Sequence, residues 1–253
     1  MIAIAKSGGK FGYADMQGKM VIPFRFNLAK DFSEGLAEVD IDTAAGERSG
    51  WIDKAGKFVI QAVYMGGGQF KEGLAPFTRA VPAAGLPDLK SGYLSSSGQV
   101  VVEPTYSIAL PFSDGIGLAI GGSRRQYLDK TGKVIFDVPP VNATVYPFQE
   151  GLAAVRIGQT AGYIDTSGQM AIKGPFQSVS SFSEGLACVK ISEKWGFIDK
   201  KGQIVIEPQF EFTQSLEKEK RIPQFHNGLA RIPEGSKQGY INKTAQWVWA
   251  PSE

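Results

Sequence analysis

The chain has 253 residues, 43% of them apolar and 21% charged, with 27 basic against 25 acidic side chains and a formal charge of +2. Such a composition suits a globular chain that buries about 70% of its unfolded surface, and the near-neutral balance, with no run of five like charges, offers no cationic stripe for nucleic acid. A single cysteine, Cys188, and a single histidine, His226, exclude an intramolecular disulfide, a cysteine-rich metal site and a histidine cluster.

Taken from its start, "MIAIAKSGGK" is too short and too soon polar for a secretory core segment, and no later stretch reaches membrane-spanning length. The expectation is a soluble chain with no transmembrane segment, cytoplasmic as given unless a cleaved leader is missing. Thirty-one glycines and 14 prolines imply many turns. Two phrases then recur along the chain. F-x-E-G-L stands at 32–36, 70–74, 148–152 and 182–186, with looser copies at 112–116 (FSDGI) and 225–229 (FHNGL). The second phrase reads GYADMQG, GWIDKAG, GYLSSSG, QYLDKTG, GYIDTSG, GFIDKKG and GYINKTA, starting at residues 12, 50, 92, 126, 162, 196 and 239. A period of this length is the mark of a repeat architecture.

Each copy predicts a three-strand meander. After the Gly-Leu turn comes strand a (LAEVD, LAAVR, LACVK), whose small or β-branched residues alternate with a variable position occupied by Glu38, Ala154, Cys188 and Arg231. Strand b follows a polar hairpin tip and sets an aromatic (Tyr13, Trp51, Tyr93, Tyr127, Tyr163, Phe197, Tyr240) directly before Ala, Ile or Leu. Neighbouring strand residues face opposite sides, so strand b is expected to be covered on both. D-x-x-G supplies a turn, with Asp as side-chain acceptor and Gly for positive φ. Strand c (KMVI, KFVI, QIVI, QWVW) is expected to end at Pro23, Pro104 and Pro208 in three copies, and the aromatic-spaced connector after it is a candidate short outer strand.

F-x-E-G-L-A-x-V followed by W-G-[YF]-I-D-x-x-G-x-x-V-I-x-P-x-F resembles the WG-repeat (KWG-type) bacterial proteins over essentially the whole chain. The full pair stands only at Trp195-Gly196 and is shifted at Gly50-Trp51; Gln126 replaces the Gly in the fourth copy, and Asn242 and Ala245 replace Asp and Gly in the last. The resemblance implies a β-rich repeat module and supplies no catalytic residues.

The predicted fold is all-β: a single repeat domain over 1–253, in seven three- to four-stranded antiparallel units at about 1–31, 32–69, 70–111, 112–147, 148–181, 182–224 and 225–253. Apolar ends, MIAIA and WVW, favour a closed propeller-like toroid, with an open twisted stack as the alternative.

Repetition also bears on chemistry. Asp15, Asp53, Asp129, Asp165 and Asp199 recur at equivalent turns instead of converging in a pair of unlike environments, so they read as turn caps. Glu34, Glu72, Asp114, Glu150 and Glu184 read as local hydrogen-bonding residues, and D-x-x-G lacks the oxygen spacing of a calcium loop. Cys188, at the variable position of strand a, is expected to be inert and partly exposed, and His226 to be a solvated turn residue. "GIGLAIGG" (115–122) overlays a repeat turn and strand and is no phosphate loop. No catalytic, cofactor-binding or metal-ligating residue is assigned, and no cofactor.

Function is expected where copies disagree. The tip "GGSRRQ" (121–126) offers Arg124 and Arg125 to an anion or acidic partner. The insertion at 79–91 is expected to project as a loop, and that at 211–224, with Lys218, Lys220 and Arg221, to hold a helical turn. The leading reading is a monomeric, non-catalytic binding or scaffold module for a protein, peptide or glycan, not nucleic acid. The alternative is a small-molecule-binding or enzymatic toroid with its site in a channel or on one face; a structural envelope component stands third.

Overall fold

A computed structural model describes residues 2–83, 85–138, 143–212, 222–234 and 237–251, with side chains from residue 8 onward. Every regular element among them is a strand. The chain divides into two compact units, Met1–Asp137 and Val138–Glu253.

The first unit holds four sheets. They are β1 (Ile2–Ser7), β2 (Lys10–Ala14) and β3 (Met20–Phe26); β4 (Leu28–Ala29), β5 (Ala37–Thr43), β6 (Gly46–Ile52) and β7 (Phe58–Tyr64); β8 (Gly66–Gly67), β9 (Leu74–Val81), β10 (Asp88–Ser95) and β11 (Val100–Tyr106); and β12 (Ile108–Ala109), β13 (Gly117–Gly121), β14 (Arg124–Leu128) and β15 (Val134–Val138). Three more belong to the second unit: β16 (Ala143–Val145), β17 (Ala153–Ile157), β18 (Thr160–Ile164) and β19 (Met170–Lys173); β20 (Ser178–Val179), β21 (Leu186–Ile191), β22 (Lys194–Asp199) and β23 (Ile204–Phe210); and β24 (Phe225–His226), β25 (Leu229–Glu234), β26 (Lys237–Asn242) and β27 (Trp247–Trp249). In every sheet the spatial order is the chain order, a meander. The connector does supply the outer strand: β4, β8, β12, β16, β20 and β24 each pair with the strand a that follows.

Strand b is buried on both sides because its two central residues belong to different cores. In the first unit Tyr13 packs forward with Ala37, Val39 and Ile52 of the second sheet, Trp51 with Ala75, Phe77 and Leu94 of the third, and Tyr93 with Ala119 and Leu128 of the fourth. In the second unit Tyr163 meets Ala187, Val189 and Ile198, and Phe197 meets Ala230, Ile232 and Ile241. In these five cases the aromatic packs with the following sheet, and Ile52, Leu94, Leu128, Ile198 and Ile241 pack with the preceding one. Each such burial contributes about 2–3 kcal/mol.

The two recurring phrases meet at these cores. The phenylalanine that opens F-x-E-G-L lies against the strand-b aromatic of the preceding sheet: Tyr13–Phe32, Tyr93–Phe112 and Phe197–Phe225 at 4.9 Å between ring centres, Tyr163–Phe182 at 4.8 Å and Trp51–Phe70 at 6.0 Å. The polar edge of the aromatic is satisfied 17 residues onward in the connector. Tyr13 Oη donates to Lys30 O at 2.8 Å, Trp51 Nε1 to Gly68 O at 3.0 Å, Tyr93 Oη to Leu110 O at 2.7 Å and Tyr163 Oη to Ser180 O at 2.8 Å. Phe197 has no such group, and Trp195 Nε1 of the same strand donates to Phe212 O at 3.0 Å instead.

The glycine of the second phrase is required by a close approach of backbones. Opposite it strand c bulges: Phe11 pairs with Phe26 but Tyr13 with Ile22, and Trp195 with Phe210 but Phe197 with Ile206, so four residues of strand c face two of strand b. A Cβ on Gly196 would lie 2.5 Å from Ile206 O and 2.8 Å from Pro208 N; on Gly12, 2.5 Å from Ile22 O. The prolines occupy this bulge. Contrary to the sequence expectation, Pro23, Pro104 and Pro208 do not end strand c, which continues to Phe26, Tyr106 and Phe210, because a bulged edge position needs no amide donor.

Candidate functional site

Each sheet has two unlike ends. At one, the D-x-x-G turn lies beside the F-x-E-G-L turn; at the other is the hairpin tip between strands a and b, together with the far end of strand c.

The turn end is a fixed device. Asp15, Asp53, Asp129, Asp165 and Asp199 each accept two backbone amides through Oδ1, at 2.8–3.1 Å, as expected of turn caps. The glutamate row does more than local bonding. Glu34 has φ of 53° and its carboxylate reaches the next turn of the row, accepting the Glu72 amide at 2.6 Å and the Gly73 amide at 2.8 Å. Glu72 likewise accepts the Gly115 amide at 2.9 Å, Glu150 that of Gly185 at 2.9 Å, and Glu184 that of Gly228 at 3.0 Å. Lysines of the second phrase join in, Lys130 on Glu72 at 3.1 Å and Lys243 on Glu184 at 3.2 Å. The Gly228 amide and Lys243 hold the Glu184 carboxyl below the usual range. These carboxylates therefore stitch consecutive sheets, a role hidden from sequence because donor and acceptor lie 35–44 residues apart.

The tip end is where copies diverge. Arg124 and Arg125 open β14; Arg124 is exposed, Arg125 half-buried, and neither has a carboxylate partner among the described residues. As adjacent strand positions they face opposite sides of the sheet, so a single small anion would meet one of them. Behind Arg124 lies a polar chain that replaces the usual glycine contact: Tyr106 Oη donates to Gln126 Oε1 at 2.8 Å, and Gln126 Nε2 to Asp137 Oδ1 at 2.8 Å, with Gln126 buried. Burial first, and then the Asp137 charge, raise the Tyr106 pKa. The insertion at 79–91 lengthens its hairpin, and the part that projects as a loop is confined to the residues beyond the ladder. The ladder continues to a Val81–Asp88 pair and makes the longest hairpin of the described residues, because Arg79, Ala80, Leu89 and Lys90 keep the pairing in register. Lys218, Lys220 and Arg221, with most of the insertion at 211–224 and its expected helical turn, lie outside the described residues.

Two recesses open at tip ends of the second unit. One, of about 480 Å³, is lined by Arg156, Gln159, Thr160, Lys173, Phe176 and Gln177, among others. The other, of about 370 Å³, is lined by Gln209, Phe210, Glu211, Ile232, Pro233, Glu234 and Trp247. Trp247 passes unnoticed in the sequence as part of an apolar strand. Its signal was the substitution pattern, since the equivalent positions carry Met20, Phe58, Val100, Val134, Met170 and Ile204.

Neither the single cysteine nor the single histidine belongs to a metal-ligating group among the described residues. Cys188 is fully buried against Phe197, contrary to the expected partial exposure, because the variable position of strand a shares the forward face with the aromatic. Burial raises its thiol pKa well above the ordinary value, so it is inert as expected. His226 is exposed at the end of β24. The same variable position carries Glu38, buried and 2.6 Å from Lys30 Nζ, a charge pair without an aligned hydrogen bond at that oxygen. Desolvation raises the Glu38 pKa, and Lys30 opposes it. No helix among the described residues is long and apolar enough to cross a membrane.

Meanders of this kind, in seven antiparallel sheets among the described residues, define an all-β repeat protein with a propeller-like fold. The WG containing repeat model matches at 11–42, 50–78, 92–120, 127–160, 162–195 and 195–237, and the chain belongs to that family. Every match starts on or just before strand b of one sheet and reaches strand a of the next, so six matches accompany seven sheets. No curated protein matches. Among solved structures, "KlHsv2 with loop 6CD replaced by a Gly-Ser linker" aligns with a TM-score of 0.55 at 8% identity, over 97% of this chain and 91% of that one. "Crystal structure of the eukaryotic initiation factor" aligns at 0.48 and 12% over 97% and 84%. A protein of unknown function from Bacteroides caccae aligns at 0.33 and 12% over 81% and 91%. The first of these likenesses speaks to fold alone.

Proposed function

We propose that this chain is a non-catalytic binding or scaffold module, that residues 1–253 act as one monomeric repeat domain, and that its tip ends present loops and aromatic surface to a protein, peptide or glycan partner. One observation supports the reading: the turn end repeats the same aspartate cap in five sheets and the same glutamate bond to the next turn from Glu34, Glu72, Glu150 and Glu184, whereas the tip end changes from sheet to sheet in length, charge and aromatic content. A surface that varies while the stack behind it stays constant is how repeat proteins present binding sites. Crosslinking of the tagged protein in a lysate of its host, followed by mass spectrometry, tests it. Alanine at both Arg124 and Arg125, or shortening of the 81–88 tip, is expected to remove specific partners with the melting temperature little changed. Retention of every partner by all tip-end variants would oppose the reading.

A closed toroid is the arrangement we favour over an open stack, because a strand b covered on both faces calls for a neighbouring sheet on each side. Small-angle scattering tests this together with the monomeric state: a compact single-copy particle is expected, and an elongated profile supports the open alternative.

A further inference from the structure

We propose that the recess between Phe210 and Trp247 takes a basic side chain, lysine or arginine, from a partner peptide; this rests on the reading that tip ends are binding surfaces. The walls are aromatic and held in place. Trp247 and Phe210 meet edge to face, 81° between ring planes and 6.1 Å between centres. The indole lies on the backbone of Gly239, where a Cβ would fall 2.6 Å from its Cζ3, so only glycine leaves it room. Trp247 remains 41% exposed and lines the recess. The floor is the buried Ile232 with Pro233, and the mouth carries Gln209, Glu211 and Glu234.

Charge selects the occupant. Aromatic faces attract cations, more so where water is partly excluded, and two carboxylates stand at the same mouth. Glu211 is shared with Lys194 at 3.3 Å, while Glu234 has no ion-pair partner among the described residues. A neutral sugar could lie on the indole but would leave both charges unused, and an anionic group would be repelled. A volume of about 370 Å³ stands at the low end of ligand pockets, room for one long side chain with its alkyl stem on Ile232 and Pro233 and its charged head between the carboxylates.

The test is a nuclear magnetic resonance titration of the full chain with Ac-Gly-Lys-Gly-NH2 and Ac-Gly-Arg-Gly-NH2. Controls are the norleucine and glutamate peptides and maltotriose. Saturable shifts of the Trp247 indole and Gly239 amide with the basic peptides are expected. Binding should weaken about tenfold in Trp247→Ala, the range of a partly desolvated cation–aromatic contact, and weaken in Glu234→Gln and at high salt. Glu234 is an exposed tip residue, so E234Q keeps the test sound if W247A folds poorly. Equal shifts with norleucine, stronger shifts with maltotriose or the glutamate peptide, or no shifts at these residues would overturn the proposal. A recess silent to lysine beside tip-dependent partner capture defeats this inference alone; a lysine-binding recess in a protein whose partners ignore the tips defeats the broader reading alone.

Discussion

Replacing Gly196 by alanine isolates the close approach that gives the second phrase its glycine. The backbone there is not left-handed, so the penalty is steric: the new Cβ would sit 2.5 Å from Ile206 O, 2.8 Å from Pro208 N and 3.0 Å from Glu207 C. All three are backbone atoms of one bulge and cannot rotate away, so strand c must retreat by several tenths of an ångström. Overpacking of this kind costs about 1–3 kcal/mol, and a weakened ladder bond adds about 1 kcal/mol. A total near 3 kcal/mol corresponds to a melting temperature lower by about 6–12 °C for a chain of this size. Gly66→Ala is the control, because its Cβ would meet nothing nearer than Thr78 Cβ at 4.0 Å; that variant should stay within about 0.5 kcal/mol of the parent. Thermal and urea unfolding followed by circular dichroism read both. Equal stabilities for G196A and G66A would refute the bulge argument.

Tyr163→Phe removes the bond to Ser180 O and should cost about 1 kcal/mol in urea unfolding. Lys30→Met leaves the buried Glu38 without its cation and should cost about 2 kcal/mol at neutral pH, less than a fully buried pair because Lys30 is itself 39% exposed. Since the folded-state pKa of Glu38 is raised, its protonation favours the fold, and the K30M deficit should shrink as pH falls through that range. Glu184 has the opposite sign: its folded pKa is lowered, so its contribution is present above the ordinary value of 4.5 and lost as pH falls below it. Glu184→Gln should therefore flatten the acid limb of a stability-versus-pH curve. Cys188 should resist a thiol reagent in the native protein and react at the rate of unfolding, whereas fast native labelling would contradict its burial.

Much of the stack could be read from spelling alone, because the forces that build it act between residues the repeat places in fixed register. The aromatic followed at once by an aliphatic residue disclosed a strand covered twice, and Trp51 with Ile52 shows it, one facing forward and one back. D-x-x-G disclosed its turn for the same reason: cap and amides lie within four residues. What stayed hidden depends on contacts between copies. Nothing local in F-S-E-G-L says that Glu34 bonds the next turn instead of its own, and nothing in L-A-C-V says that position 188 faces an aromatic core. The proline of strand c misled because a bulge looks, in one dimension, like a terminus. At the tip ends the arginines were visible as departures from pattern, but the Tyr106–Gln126–Asp137 chain and the seat of Trp247 on Gly239 required coordinates.

Hydrogen–deuterium exchange of the native protein probes most directly the claim that constant residues build the stack and variable ends stay free. Strand b should exchange slowest in each sheet, over 11–14, 50–52, 92–94, 126–128, 162–164, 196–198 and 239–241, with the tips at 44–45, 82–83, 85–87, 122–123 and 158–159 fastest. Fast exchange in strand b, or tips as protected as the strands behind them, would contradict the account.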